Sequence, residues 1–366
     1  MMEKAVVTAD ASGKQKTALM MAAGTGGHVF PALAVARALR ESGYQVHWLG
    51  TPHGMEQNLV PKDNIPLHAI DIKGLRGKGI AGLLVAPWRI LKATMQALKI
   101  IKSIKADIVI GFGGYIAGPG GVAARLAGVP LLLHEQNALA GVTNKLLNRI
   151  SNKSLQAFPG ALPGAETVGN PVRADVKNLS QASIPQHDKL NVLVVGGSLG
   201  ARALNDAVLQ CWKLWPAEQR PNLRHQVGKR DEERMLAAYA ETDISADVSA
   251  FIDDMAAAYE WADILVCRSG ALTVSEIAAA GKASILVPFP FAVDDHQTVN
   301  AGYLADAGAA IIRQQKELTP EWLLANLQRL DGQREELQRM ADASRAQAQP
   351  EATELVVEQI ERLIRE

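Results

Sequence analysis

The sequence predicts an α/β protein made of two Rossmann-like, doubly wound parallel-sheet domains, and three observations carry that prediction. At 366 residues the chain exceeds the roughly 250–300 residues at which a single hydrophobic core stops growing. One pattern, a short apolar run followed by a glycine-rich turn and a helical repeat, occurs once in each half; it is the opening of a nucleotide-binding half-domain. Elsewhere short apolar runs alternate with helical stretches, the sequence form of parallel strands joined by crossover helices.

Taken in order, residues 1–16 carry Lys4, Asp10, Lys14 and Lys16 and read as a disordered extension. Residues 17–23 (TALMMAA) form the first apolar run, followed by Gly24-Thr25-Gly26-Gly27 and a helical pattern over 29–40. Buried strands are predicted at 108–111 and 130–133. Gly169-Asn170-Pro171 punctuates the chain and is read as the junction between a domain at 17–170 and one at 171–350. The second opening is the run 191–195 (NVLVV), the turn Gly196-Gly197-Ser198-Leu199-Gly200 and a helix over 203–214. Strands follow at 264–267 and 284–287. Pro350 should stop a helix, and 351–366 reads as an amphipathic helix whose return onto the first domain the sequence leaves open.

Composition narrows the function classes. Thirty-eight basic residues balance thirty-eight acidic ones, so the chain lacks the net positive charge typical of a nucleic-acid binder. Two cysteines, Cys211 and Cys267, exclude a disulfide framework and point to a reducing compartment. No uninterrupted apolar stretch reaches membrane length. Charge is nonetheless uneven: residues 72–106 hold no acid, yet carry Lys73, Arg76, Lys78, Arg89, Lys92, Lys99, Lys102 and Lys105. With Ile80, Leu83, Leu84, Val85 and Trp88 beside them, these read as a peripheral site for an anionic membrane surface, with Pro87 starting a helix that carries Arg89, Lys92, Lys99 and Lys102 near one side.

Four motifs sit where strands end. In Gly24-Thr25-Gly26-Gly27-His28 the third glycine of a dinucleotide fingerprint is replaced by Val29, and the next strand ends in Gly50-Thr51 without a ribose-binding acid. The turn still offers bare N–H groups to a phosphate or sugar, although a ligand-free tight turn explains it equally well. His28 is the first candidate for a general base, since imidazole titrates near neutrality; a capping histidine is the plain alternative. Gly111-Phe112-Gly113-Gly114-Tyr115 is a second glycine-rich turn. In His134-Glu135-Gln136-Asn137, Asn137 can bond a sugar hydroxyl and Glu135 can take a proton, which makes Glu135 the alternative base. Position 138 is alanine, so the zinc motif H-E-x-x-H is absent. Arg268 to Glu276 opens a helix whose N-terminus suits a diphosphate, with Glu276 placed for a ribose diol; a capping box from Thr273 to Glu276 is the competing explanation. No D-x-D triad occurs, so no metal is expected to hold a sugar nucleotide, and no cofactor is called for.

GTGGHVFPALAVA (24–36), HEQNALAGVTNKLL (134–147), GNPVR (169–173), GGSLGARALN (196–205), FIDDMAAAYEWAD (251–263) and CRSGALTVSEIAAAG (267–281) resemble a bacterial family of GT-B glycosyltransferases, family 28, over the chain from about residue 17 to its end. The resemblance implies two Rossmann-like domains facing a cleft, with the acceptor on the N-terminal domain and the donor on the C-terminal one. It implies an inverting transfer of N-acetylglucosamine from UDP-GlcNAc to the 4-hydroxyl of the muramoyl sugar of lipid I, giving lipid II. The place it implies is the cytoplasmic face of the inner membrane, in peptidoglycan synthesis and hence in cell shape and division. By matching position, Thr25, Gly26 and Gly27 would approach the donor sugar and phosphates, and Asn137 the sugar. Arg173 and Ser198 would meet the diphosphate, and Ile252 the uracil through its backbone. Ala271, Leu272, Thr273, Val274, Ser275 and Glu276 would take phosphate and ribose, with Gln297 near the sugar. The family often has glutamine where this chain has Leu199, which puts a side-chain contact there in doubt. Two rivals stay open: a UDP-GlcNAc 2-epimerase, which needs no acceptor, and a UDP-sugar sensor without turnover.

Overall fold

The structure, a computed structural model, describes residues 15–72, 79–179, 188–197 and 200–365, with 79–84 described by their backbone alone. The chain divides into two compact units. The first runs to Arg173 and resumes at Pro350; the second spans Ala174–Gln349. The break thus falls after Arg173 rather than inside Gly169-Asn170-Pro171. The physical reason is local: Asn170 Nδ2 donates to the Gln136 carbonyl at 3.1 Å and the Gly169 carbonyl accepts from His134 at 2.9 Å, tying this stretch to the first unit.

The first unit holds seven strands: β1 (Thr17–Met21), β2 (Gln45–Gly50), β3 (Leu67–Ala69), β4 (Ile108–Gly111), β5 (Leu131–Glu135), β6 (Lys153–Gln156) and β7 (Glu166–Thr167). Their order is β3-β2-β1-β4-β5-β6-β7, every neighbour parallel. Because helices cover both faces, β1 is buried from end to end and reads as a continuous apolar run. Alternation then sorts its side chains. Ala18 and Met20 join one core with Val29, Leu33 and Leu39, while Leu19 and Met21 join the other with Ala97, Ile101 and Leu147. The helix Ala352–Arg365 packs Val356, Val357 and Ile360 into the first of these cores, beside the helix Gly26–Glu41.

The second unit holds β8 (Asn191–Val195), β9 (Asn222–Gln226), β10 (Asp247–Ser249), β11 (Ile264–Cys267), β12 (Ala283–Leu286) and β13 (Ala310–Ile312) in the order β10-β9-β8-β11-β12-β13, again all parallel. Its core gathers Val192, Val194, Trp212, Val266 and Ile285. Apart from the extra β7, both sheets run in the doubly wound order 3-2-1-4-5-6. In each, the order reverses between the first strand and the fourth, and ligands of such sheets bind beyond the carboxyl ends at that reversal. The relevant pairs are β1 with β4 and β8 with β11.

The helix Gly79–Ile104 corrects one expectation. Pro87 lies well inside it rather than at its start; Val85 and Trp88 flank it on an exposed face, where a proline's missing N–H disturbs no buried packing.

Candidate functional site

At the reversal of the first sheet, the turns after β1 and β4 pack directly on one another. Gly114 has φ +75°, and a Cβ there would sit 2.9 Å from the Ala23 carbonyl, so only glycine lets these turns approach. The turn after β1 is held from beneath by Glu56, a fully buried carboxylate on which sequence reasoning had no purchase. It accepts from Gly24 N–H at 3.2 Å and from Thr51 N–H and Oγ1 at 2.8 and 2.7 Å. Thr25 takes the N-cap position of the helix Gly26–Glu41 without a side-chain cap. At Gly26 a Cβ would press within 2.9 Å of Phe30, whereas at Gly27 it would meet nothing closer than 3.8 Å. Gly26 is therefore a packing requirement, and Gly27 leaves room beside the helix start.

His28 lies in the first turn of that helix, half-buried, with Nδ1 2.7 Å from Gln136 Oε1. Its ring rests against Gly113, where a Cβ would come within 3.3 Å of Cε1. The structure thus brings three of the sequence motifs together, the turns after β1, β4 and β5. It also separates the two candidate bases. Glu135 is buried and committed: Oε1 accepts from Asn137 N–H at 2.9 Å and Nδ2 at 3.2 Å, and Oε2 from Asn144 Nδ2 at 2.8 Å and Gly141 N–H at 3.3 Å. Its four donors make this carboxylate a pin for the 136–141 loop. Asn137 is drawn toward that pin. Arg173 closes the first unit with its guanidinium 6.0 Å from the centre of the Phe30 ring.

The second unit presents backbone at its reversal. Gln226, at the end of β9, clamps the turn after β8: its Oε1 accepts from Gly197 N–H at 3.0 Å, and its Nε2 donates to the Gly197 and Ala250 carbonyls at 3.0 and 2.8 Å. Gly200 (φ +84°) would put a Cβ 2.5 Å from the Val227 carbonyl. Ser198 and Leu199 lie outside the described residues. Ile252 sits half-buried in the loop after β10, two residues beyond Ala250, whose carbonyl accepts from Gln226 Nε2.

After β11, the helix Ala271–Ala280 starts with Gly270 at its N-cap and no side-chain cap. Thr273 is inside the helix, so the competing capping box is not formed. Glu276 is buried one turn further, with Oε2 accepting from Tyr259 OH at 2.9 Å. That tyrosine is a second residue sequence reading missed; its helix, Met255–Trp261, follows the 251–254 loop and brings the hydroxyl across. Gln297 ties two loops: its carbonyl accepts from Ser269 Oγ at 2.8 Å and its Oε1 from Phe289 N–H at 2.9 Å. Arg268 is spent on the Val287 and Pro288 carbonyls and on Gln315. Cys267 is buried and its thiol pushed up to about 12, which leaves it inert beside the site.

Both chain halves match the same family. Residues 18–156 match the glycosyltransferase family 28 N-terminal domain and residues 191–356 the family 28 C-terminal domain. The chain belongs to glycosyltransferase family 28. Among family 28 relatives, the UDP-N-acetylglucosamine--N-acetylmuramyl-(pentapeptide) pyrophosphoryl-undecaprenol N-acetylglucosamine transferase of Chromohalobacter salexigens is 53% identical over 93% of this chain and 94% of its own length. The protein of that name from Aeromonas hydrophila is 53% identical over 95% of this chain and 97% of its own. A crystal structure of Acinetobacter baumannii MurG is similar with a TM-score of 0.78 at 48% identity, covering 95% of this chain and 99% of that one. The expected GT-B class and family are borne out.

A separate face of the first unit is apolar and basic. Along Gly79–Ile104, Val85, Trp88, Leu91 and Met95 are exposed, Trp88 to 69%. The helix Ala117–Ala127 packs alongside and adds Val122 and Leu126; Val142–Leu147 follows with Val142 and Leu146. Arg89, Lys99, Lys102, Arg125 and Lys145 are exposed among them, and Lys92 is 3.7 Å from Asp71. Lys73, Arg76 and Lys78 lie outside the described residues, as do the side chains of Ile80, Leu83 and Leu84. Among the described residues no helix is long and apolar enough to cross a membrane.

Proposed function

We propose that this family 28 enzyme moves N-acetylglucosamine from UDP-GlcNAc to the 4-hydroxyl of the muramoyl sugar of undecaprenyl-diphosphate-linked MurNAc-pentapeptide, with inversion, giving lipid II. The observation that carries it is the 53% identity to transferases of that name over more than nine-tenths of both chains. In this reading His28 Nε2 takes the acceptor hydroxyl proton as the bond to the sugar carbon forms. The departing UDP charge meets the uncapped N-terminus of Ala271–Ala280 and Ser198. Glu276, oriented by Tyr259, accepts from the ribose diol, Ile252 meets the uracil through its backbone, and Gln297 lies near the sugar. UDP release from UDP-GlcNAc, measured with and without a water-soluble lipid I analogue, tests this. Release should require the acceptor, and the product should carry the added sugar; acceptor-independent turnover or epimerised UDP-sugar would overturn it.

The apolar and basic face supports a peripheral seat on the cytoplasmic leaflet, where lipid I is anchored. Trp88, Leu91 and Met95 would enter the interface while Arg89, Lys99 and Lys102 meet anionic headgroups, each worth about 1 kcal/mol near the surface. Changing Trp88 and Met95 together to serine should abolish binding to phosphatidylglycerol vesicles and leave turnover of the soluble acceptor intact. Undiminished vesicle binding would refute this seat.

A further inference from the structure

His28 is the end of a hydrogen-bonded chain of buried groups whose donors and acceptors can be assigned from one fixed point. That point is the Gly169 carbonyl, which can only accept. His134 Nε2 lies 2.9 Å from it and must therefore carry the proton. His134 is fully buried, and burial pushes its pKa down to about 4, so the ring is neutral and Nδ1 holds a lone pair. Gln136 Nε2 stands 3.0 Å from that lone pair and 2.8 Å from the His134 carbonyl, two acceptors that both demand the amide NH2. The Gln136 oxygen is thereby turned to His28, 2.7 Å from Nδ1.

We infer that Gln136 and His134 are positioning residues that hold neutral His28 in its Nδ1–H tautomer, leaving the Nε2 lone pair bare to receive the acceptor proton. The inference rests on the assignment of His28 as base made above. When that proton arrives on Nε2, His28 becomes an imidazolium whose Nδ1–H already points at an amide oxygen, and no second proton has to move. The chain is rigid along its length. Phe112 stacks on the His134 ring with centroids 5.3 Å apart, Asn170 Nδ2 holds the Gln136 carbonyl at 3.1 Å, and Gln136 itself is 1% exposed. Glu135, between them in sequence, takes no part because β5 turns it to the opposite face.

Two measurements test the inference, one of which needs no variant. In the wild-type protein with 15N-labelled histidine, neutral His28 should show a protonated Nδ1 and a bare Nε2, and His134 a protonated Nε2 and a bare Nδ1. The reverse tautomer at His28 would overturn it. The second is a double-mutant cycle on turnover. Gln136→Met, close in volume and without hydrogen bonds, should lower kcat about ten- to a hundred-fold, the range known for losing the partner that orients a metal-bound histidine, with donor KM unchanged. In a His28→Ala background the same change should cost nothing further. An equal loss in both backgrounds would make Gln136 merely structural and sink the inference. Full activity in His28→Ala alone would sink the base assignment instead, whatever the tautomer.

Discussion

The two units share a strand order and differ in what they place at its reversal. The first presents a side chain: His28, backed by Gln136 and His134 and fitted against Gly113. The second presents main chain: a helix start that Gly270 leaves without a side-chain cap. A group that must change protonation during a reaction needs a titratable side chain held in one orientation. A diphosphate that keeps its charge throughout is better served by fixed N–H dipoles, which cost no reorganisation. One strand order can serve both proposed tasks because it fixes where a loop lies and leaves its chemistry to a handful of residues.

The sharpest way to break that comparison is to delete the side chain on which the first unit relies. His28→Ala should lower kcat by about two to four decades, the usual contribution of a general base, with UDP-GlcNAc affinity near wild type. Weakened donor binding at normal kcat would move His28 out of proton transfer and make the units alike.

Glu276→Ala should show the converse split. Charge-assisted hydrogen bonds contribute about 1.5–3 kcal/mol, so donor affinity should fall about ten- to a hundred-fold by titration calorimetry. Some loss of Tm should accompany it, because Tyr259 OH is left without the carboxylate it now donates to. Tyr259→Phe, which keeps the carboxylate and frees its orientation, should weaken donor binding several-fold. Donor affinity unchanged in both variants would confine the pair to packing.

The units should resemble one another in their response to acid. His134 in the first and His225 in the second are buried and neutral, and burial pushes them down to about 4 and about 3 from 6.5. In the unfolded chain both protonate as pH falls through about 6.5, while in the fold they stay neutral. Unfolding therefore takes up protons, and stability, full above about pH 6.5, is lost progressively toward the folded-state values. The loss should be on the order of 3 kcal/mol for each by about pH 4. Urea midpoints measured from about pH 7.5 down to about pH 4.5 would show it; a flat profile would mean that neither histidine is held neutral. The smallest expected effect is none: turnover should survive EDTA, since the sequence has no D-x-D triad and the proposed diphosphate site is a helix N-terminus. A loss restored by magnesium or manganese would overturn that assignment of the leaving-group charge.

Most of the architecture was legible in the sequence, because strands buried on both faces must be short continuous apolar runs and their parallel pairing requires intervening helices. The glycine turns stood out for the same reason, since Gly114 and Gly200 occupy conformations and clearances no other residue fits. The pairing of side chains was less accessible. HEQN marks the carboxyl edge of β5, and Glu135 and Asn137 are its chemically versatile members. Strand alternation sends Leu132, His134 and Gln136 toward the core that carries the His28 helix, and Leu131, Leu133 and Glu135 toward the other. That parity was available in the sequence; which core His28 belonged to was not.

What the sequence by itself determined, then, is where each loop begins and what donors, acceptors and titratable groups it holds, because hydrophobic period and glycine placement are local properties. What only the tertiary structure decided is which of those groups meet. Glu56 reaches Gly24 across 32 positions, Gln136 reaches His28 across 108, and Tyr259 reaches Glu276 from a neighbouring helix. Such contacts depend on the order in which strands are laid side by side. That order is set by packing across the whole sheet, and no window of sequence contains it.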